Sequence, residues 1–335
     1  MPVMITQDTT IDYDVQGSGP PLVLISGLGF GRWGWFKQVP ALSRHFRTIT
    51  FDIRSEQNLT DGVADLSAEV VALLDNLGVK KTHVLGTSLG GFVAQQLALE
   101  RPEMVNRLVL ICTSYGPGPE PISLEALGRM LGWGSLSSES AVRRGLETAT
   151  SDAYRAKHPE EFDLITRWRL ADSPSISNYY QQVMAGARFD ISGEVENIGS
   201  PTLVIHGSED RYVPLANATA LAEAIPGARL RVFDDAGHLV FIERSEEVNK
   251  EIVSFLKPHR KPRKKPRASD QPAKQKAKQL FGRVKKVNTE TFLKPRRKPR
   301  KVEKGPTFGR LKGRLRRPSR VASDWSKRLR GWLSR

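Results

Sequence analysis

The sequence predicts an α/β fold over residues 1–256, a mostly parallel central sheet with helices on both faces and an inserted helical segment. Three observations carry this. Short apolar runs alternate with helix-like segments from Leu22 to about Leu256. The runs are continuous rather than alternating, as strands covered on both faces require. The pattern then stops at Lys257, where the composition changes abruptly. From there to the end lie 30 of the 52 Lys and Arg but 4 of the 36 Asp and Glu, which leaves 22 basic and 32 acidic residues before it. An acidic globule of 1–256 therefore precedes a strongly basic tail of 257–335.

Taken in order, Val3–Ile5 and Ile11–Val15 read as an antiparallel hairpin at one sheet edge. Buried strands are expected at Leu22–Ile25, Thr48–Phe51, Thr82–Leu85, Leu108–Ile111, Thr202–Ile205 and Leu230–Phe233. Between them, Leu66–Leu77 spaces Val70, Val71, Leu73, Leu74 and Leu77 as a helix does. Pro214–Ile225 is a second helix, with proline at its first turn. Residues 115–192 break the rhythm with a Gly116-Pro117-Gly118-Pro119 loop followed by helix-like stretches. These carry Met130, Trp133, Phe162, Trp168, Tyr179, Tyr180 and Met184. A helical insertion between two strands can act as a lid, and Trp133, Trp168, Met130 and Met184 are its candidate substrate-binding residues. The plainer role for most of them is packing the inserted helices together.

Composition excludes several classes. Cys112 is the single cysteine, so no internal disulfide forms, and its apolar run marks it as a small core residue. No run approaches the ~18 apolar residues of a spanning helix. The first residues lack a charged segment followed by an apolar one, so a cytoplasmic location is expected. No ligand cluster has metal spacing, and no metal or organic cofactor is implied.

The chemistry centres on Gly86-Thr87-Ser88-Leu89-Gly90, a G-x-S-x-G between an apolar strand and a helix-forming stretch. Serine by itself is a poor nucleophile and needs a base and an oxyanion site. Of six histidines, His45, His158 and His259 lie in polar or basic surroundings. His83 begins the strand before the turn and His206 ends another. His238 sits in a loop after the last strand, where a base could reach Ser88. Asp210, in HGSEDRYVP after the penultimate strand, is the acid candidate, with Glu209, Asp234 and Asp235 as alternatives. The oxyanion donors should be the backbone N–H groups of Leu28, in the loop Ser26–Gly31, and of Leu89.

With these pieces the chain resembles the α/β-hydrolase superfamily, in particular lid-bearing single-chain serine esterases and lactonases. The resemblance covers residues 3–256 and rests on SGLG, GTSLGG, HGSEDRYVP and DAGHLVFIERSEEVN in that order. It implies the triad Ser88, Asp210 and His238, with Asp210 favoured because the motif puts the acid there. It implies cleavage of a small-molecule ester, or of a lactone or C–C bond by the same triad. A serine nucleophile sets the chain apart from relatives that use aspartate, the haloalkane dehalogenases and epoxide hydrolases. Two departures stand out. Relatives commonly carry His-Gly where this chain has Ser26-Gly27, and a D-x-R-G-x-G-x-S loop where it has Asp52-Ile53-Arg54-Ser55-Glu56-Gln57-Asn58.

The tail mixes Lys, Arg and Pro, a composition that favours disorder. Its last segment sets Val321, Trp325, Leu329, Trp332 and Leu333 on one helical face, opposite Lys327, Arg328 and Arg330. Such a basic amphipathic helix fits an anionic membrane or a lipid or polyester surface, with nucleic acid as a rival partner. Another class of function follows: a polyanion- or membrane-binding protein whose hydrolase fold is inactive. A solvated tail without a partner is the bland counterpart. Sequence leaves the oligomeric state open.

Overall fold

The computed structural model describes residues 3–5, 10–53, 59–132 and 138–257. Among these, eight strands form one sheet: β1 Val3–Ile5, β2 Thr10–Gln16, β3 Pro21–Ile25, β4 Arg47–Phe51, β5 Thr82–Thr87, β6 Val105–Ile111, β7 Thr202–Gly207 and β8 Arg229–Phe233. Their order is β1-β2-β4-β3-β5-β6-β7-β8. Only the β1–β2 and β2–β4 pairings are antiparallel.

Alternation along the central strands divides the core. Val84, Leu108, Leu110 and Val204 face one layer, with the helices Val63–Asn76 and Leu89–Glu100. Leu85, Val109, Ile111, Leu203 and Ile205 face the other, with Trp35, Phe46 and the helix Ser245–Leu256. Every residue of β5 and β7 is buried, which explains the unbroken apolar runs Val84–Leu85 and Leu203–Ile205 at their centres. Each fully buried aliphatic side chain contributes roughly 1.5–3 kcal/mol.

Two expectations need correction. Leu230–Phe233 belongs to an edge strand, not a buried one: Leu230 is 36% exposed, and Arg229 and Arg231 flank it. Their guanidinium groups lie over the rings of Phe255 and Phe233, so charge protects the open edge while the arginine stems cover apolar surface. The second helix starts at Leu215, and Pro214 is its extended N-cap rather than its first-turn residue.

Among the described residues, five α-helices are inserted between β6 and β7: Leu124–Gly132, Glu139–Ala149, Asp152–Lys157, Pro159–Ala171 and Ile176–Arg188. No described helix is long and apolar enough to cross a membrane. The basic tail beyond Lys257, including the helix expected at its end, lies outside the described residues.

What matters for function is the register. Ile25 pairs with Gly86, Thr87 with Ile111, Ile111 with Ile205, and Gly207 with Phe233. The carboxyl ends of β3, β5, β6, β7 and β8 thus align along one edge. The loops beginning at Ser26, Ser88, Cys112, Ser208 and Asp234 all emerge there, the usual site of ligand chemistry in parallel sheets.

Candidate active site

Ser88 directly follows β5 with φ 52° and ψ −121°, a conformation L-residues avoid at a cost of roughly 1–3 kcal/mol. Its surroundings hold it there. Ser88 N donates to Ile111 O at 2.9 Å, Thr113 Oγ1 donates to Ser88 O at 2.9 Å, and Gly91 N donates to the same oxygen at 2.8 Å. Although Ser88 occupies the N-cap position of the helix Leu89–Glu100, its Oγ caps nothing. The hydroxyl is not consumed by the helix it begins.

The flanking glycines are steric necessities. A Cβ on Gly86 would run into Gly90 O. One on Gly90 would sit 2.6 Å from Ser26 O and closer still to Ile25 O. The G-x-S-x-G pattern is therefore the imprint of a helix start pressed against the ends of β3 and β5.

Asp210 and His238 meet across two loops. His238 Nδ1 donates to Asp210 Oδ2 at 2.8 Å, and Asp210 Oδ1 accepts from the backbone N–H groups of Tyr212 and Val213, each at 2.9 Å. Asp210 is fully enclosed. Burial pushes its carboxyl pKa up, but the charge and hydrogen bond of His238, with His206 and the Val213 N–H, outweigh burial and hold it below the ordinary value. Its N–H donors fix the carboxylate, and the carboxylate fixes which imidazole nitrogen carries the proton. The Tyr212 ring stands edge-on to His238, centroids 5.4 Å apart.

Cys112 links this pair to the elbow. It follows Ile111, the acceptor for Ser88 N, and its Sγ lies with the Asp210 and His238 ligand atoms inside a 4.8 Å group. All three residues are buried. A cation there would have to displace the His238–Asp210 proton, so the cluster reads as the floor of the site. Burial, then the Asp210 charge, pushes the Cys112 thiol pKa well up, which keeps it neutral.

The loop after β3 lies on Ser88: a Cβ on Gly27 would be 3.2 Å from Ser88 Cβ. Leu28 follows Gly27, and Leu89 opens the helix, so the two expected donors flank the serine. Leu28 packs against Tyr179 and Val183 of the insertion, as does Met130. A Cβ on Gly186 of the same helix would be 3.3 Å from Leu89 Cδ1. The insertion thus covers both residues. Ser26, where relatives carry histidine, is buried, with its Oγ 3.4 Å from Gly31 O.

The four apolar candidates divide. Met130 packs, like Leu28, against the Tyr179–Val183 pair, and Tyr179 Oη donates to its carbonyl at 2.9 Å. Trp168 packs on Phe36 and Trp33 with centroids 5.0 and 6.1 Å apart, a core role. Met184 is 48% exposed. Trp133 lies outside the described residues, as do residues 54–58 of the variant loop. Asp52, ahead of that loop, accepts from Arg32 N at 2.7 Å and Arg32 Nε at 3.1 Å.

Two polar residues at the site, His206 and Glu243, carry no signal of their own in the sequence. Both sit inside the motif segments HGSEDRYVP and DAGHLVFIERSEEVN, but a side chain beside a catalytic one has no spacing that marks it.

The alpha/beta hydrolase fold family matches residues 20–245, and the chain belongs to that family. Among its relatives is "Putative carbamate hydrolase RutD" of Stutzerimonas stutzeri (strain A1501), 31% identical over 254 residues, or 73% of this chain and 96% of the relative. Poly(3-hydroxyalkanoate) depolymerase of Ectopseudomonas oleovorans is 31% identical over 248 residues, covering 72% of this chain and 85% of the relative. The enol-lactonase of Burkholderia xenovorans LB400 superposes with a TM-score of 0.68 at 26% identity, over 76% of this chain and 99% of its own.

Proposed function

We propose that this chain is a serine hydrolase that cleaves a carboxylic ester by acyl transfer. The observation that carries the reading is the 2.8 Å bond from His238 Nδ1 to the enclosed Asp210 carboxylate, on the same sheet edge as the strained Ser88. His238 takes the Ser88 Oγ proton as the oxygen attacks the carbonyl carbon. The N–H groups of Leu28 and Leu89 stabilise the tetrahedral oxyanion, each worth on the order of 2.7–4 kcal/mol of barrier. The proton then passes to the departing alkoxide, and water, activated by the same imidazole, hydrolyses the acyl-enzyme. Asp210 orients the imidazole and balances its transient charge.

The names of the relatives support attack at an acyl carbonyl, since carbamate, polyester and lactone share one. Their variety leaves the substrate's carbon skeleton to the insertion of 115–192, which acts as a lid. Lactone hydrolysis is the second reading, favoured by superposition over nearly all of the enol-lactonase chain. Its chemistry differs only in that the leaving alkoxide stays tethered to the acyl group.

The tail of 257–335 recruits the enzyme to an anionic surface, membrane or polymer, through its excess of Lys and Arg. Deleting residues 258–335 should leave hydrolysis of a soluble ester unchanged and abolish sedimentation with anionic vesicles. Equal sedimentation with neutral vesicles speaks against the charge-based role.

The decisive test is Ser88→Ala assayed with p-nitrophenyl esters of several chain lengths and with lactones. Hydrolysis should fall to background, and a fluorophosphonate probe should label the wild-type chain alone. Activity surviving in the variant defeats the reading.

A further inference from the structure

His238 is held by more than Asp210. The residues on either side of it are tied to one short segment of the insertion, Ala149–Ser151, between the helices Glu139–Ala149 and Asp152–Lys157. After it, Leu239 N donates to Ala149 O at 3.0 Å. Before it, Gly237 packs so closely on that segment that a Cβ would lie 2.9 Å from Ala149 O and 3.0 Å from Ser151 N.

The tie is closed by one carboxylate. Glu243 Oε1 accepts from Gly237 N at 3.1 Å, and Glu243 Oε2 accepts from Ser151 N at 3.1 Å and Ser151 Oγ at 2.6 Å. Ser151 Oγ in turn accepts from Tyr154 N at 3.1 Å, capping the helix Asp152–Lys157. The two oxygens of one side chain therefore join the loop bearing His238 to the start of an insertion helix.

We propose that Glu243 is a positioning residue for His238, a latch that fixes the base-bearing loop to the Ala149–Ser151 turn. The inference rests on the reading of His238 as the base. It adds that the insertion helps to set where the base stands, besides covering the serine.

The geometry argues for a positioning role on two grounds. Three donors converge on Glu243, and two of them are main-chain N–H groups that would lose their acceptor with it. Further, the donor nearest the base is Gly237 N, one residue from His238, so loss of the bond releases the backbone that aims the imidazole. An imidazole displaced by about 1 Å loses on the order of 10²-fold in rate.

The test compares Glu243→Ala, Glu243→Gln and Ser151→Ala with wild type. Steady-state hydrolysis of p-nitrophenyl butyrate, fluorophosphonate labelling rate and thermal unfolding are measured on each. Glu243→Ala should lose on the order of 10²-fold in kcat and in labelling rate, with KM changed by less than about threefold. Glu243→Gln, whose amide oxygen still accepts at one end, should lose less. Ser151→Ala keeps both main-chain donors and should lose only about fivefold, the worth of one hydrogen bond. Variants that unfold cooperatively yet keep kcat and labelling rate within about twofold of wild type would overturn the latch, whatever their melting temperatures. Should Glu243→Ala fail to fold, the other two variants decide in the same way. The Ser88→Ala control separates the two ideas. If it is inert while the latch variants match wild type, the triad stands and the latch falls; if it stays active, both fall.

Discussion

His206 Nε2 lies 3.4 Å from Asp210 Oδ2, the same oxygen that accepts from His238 Nδ1 at 2.8 Å. The acid of the proposed triad thus stands between two imidazoles with different duties. Burial, partly offset by the Asp210 charge and the Val213 carbonyl, holds the His206 pKa below its ordinary value, so it is a neutral ring beside a carboxylate and not an ion pair. Its Nε2 also meets Val213 O at 2.9 Å, which assigns the proton to Nε2. Its Nδ1 is buried without a hydrogen-bond partner among the described residues.

Replacing His206 with Phe keeps a flat ring and removes the N–H that donates to Val213 O. Val213 N is one of the two main-chain donors that hold Asp210 Oδ1, so the carboxylate loses part of its support. The kcat for ester hydrolysis should fall about fivefold, the worth of one hydrogen bond, with KM little changed. Tyr212 and Cys112 also face the pair and are unchanged by the substitution. An unchanged kcat would count against this support.

Gly90→Ala probes the elbow. The added methyl has nowhere to go between Ile25 O and Ser26 O, so the helix start must shift. A loss of about 1–3 kcal/mol of stability is expected from overpacking, with strong loss of fluorophosphonate labelling. Chemical denaturation and probe labelling measure the two effects separately. Normal labelling would show that the elbow tolerates the shift.

Cys112 should be inert. It is fully buried, its thiol pKa is pushed up by burial and then by the Asp210 charge, and its Sγ lies beside the acid–base pair. A thiol reagent should titrate no cysteine in the native protein and one after unfolding. Rapid native reaction would indicate that the floor of the site opens.

Acid should weaken the fold through His83. Burial, then the Arg107 charge, lowers its pKa from 6.5 to about 4. A depressed folded pKa means that the unfolded chain binds the extra proton. This contribution to stability is complete above 6.5 and is lost as pH falls from 6.5 through about 4. Thermal unfolding of His83→Gln between pH 4 and 7 should show a flatter pH dependence than wild type. Identical slopes would remove His83 from the account.

Much of the fold and of the site is legible in the order of residues. Continuous apolar runs locate the central strands, because burial on both faces leaves no room for polar alternation. The elbow is readable because its glycines answer to steric contacts only a few residues away along the chain or at the adjoining strand end. The exposed edge strand misleads, since the run through Leu230 and Val232 looks buried until Arg229 and Arg231 are seen folding over Phe255 and Phe233. The apolar candidates of the insertion are equally ambiguous: Met130 joins the Tyr179–Val183 pair that Leu28 packs on, while Trp168 goes to the core and Met184 to solvent. Helical spacing records which residues are apolar and not which neighbour they meet.

By itself the sequence determined the sheet, the order of serine, acid and histidine, and the basic tail. These depend on local periodicity, composition and motif order, all written along the chain. Tertiary structure alone decided that Asp210 and not Glu209, Asp234 or Asp235 bonds His238, that His206 shares its oxygen, and that Glu243 ties Gly237 to Ser151. Those contacts join residues 28 and 92 positions apart, Asp210 to His238 and Ser151 to Glu243. Only the parallel register brings such distant loops to one edge.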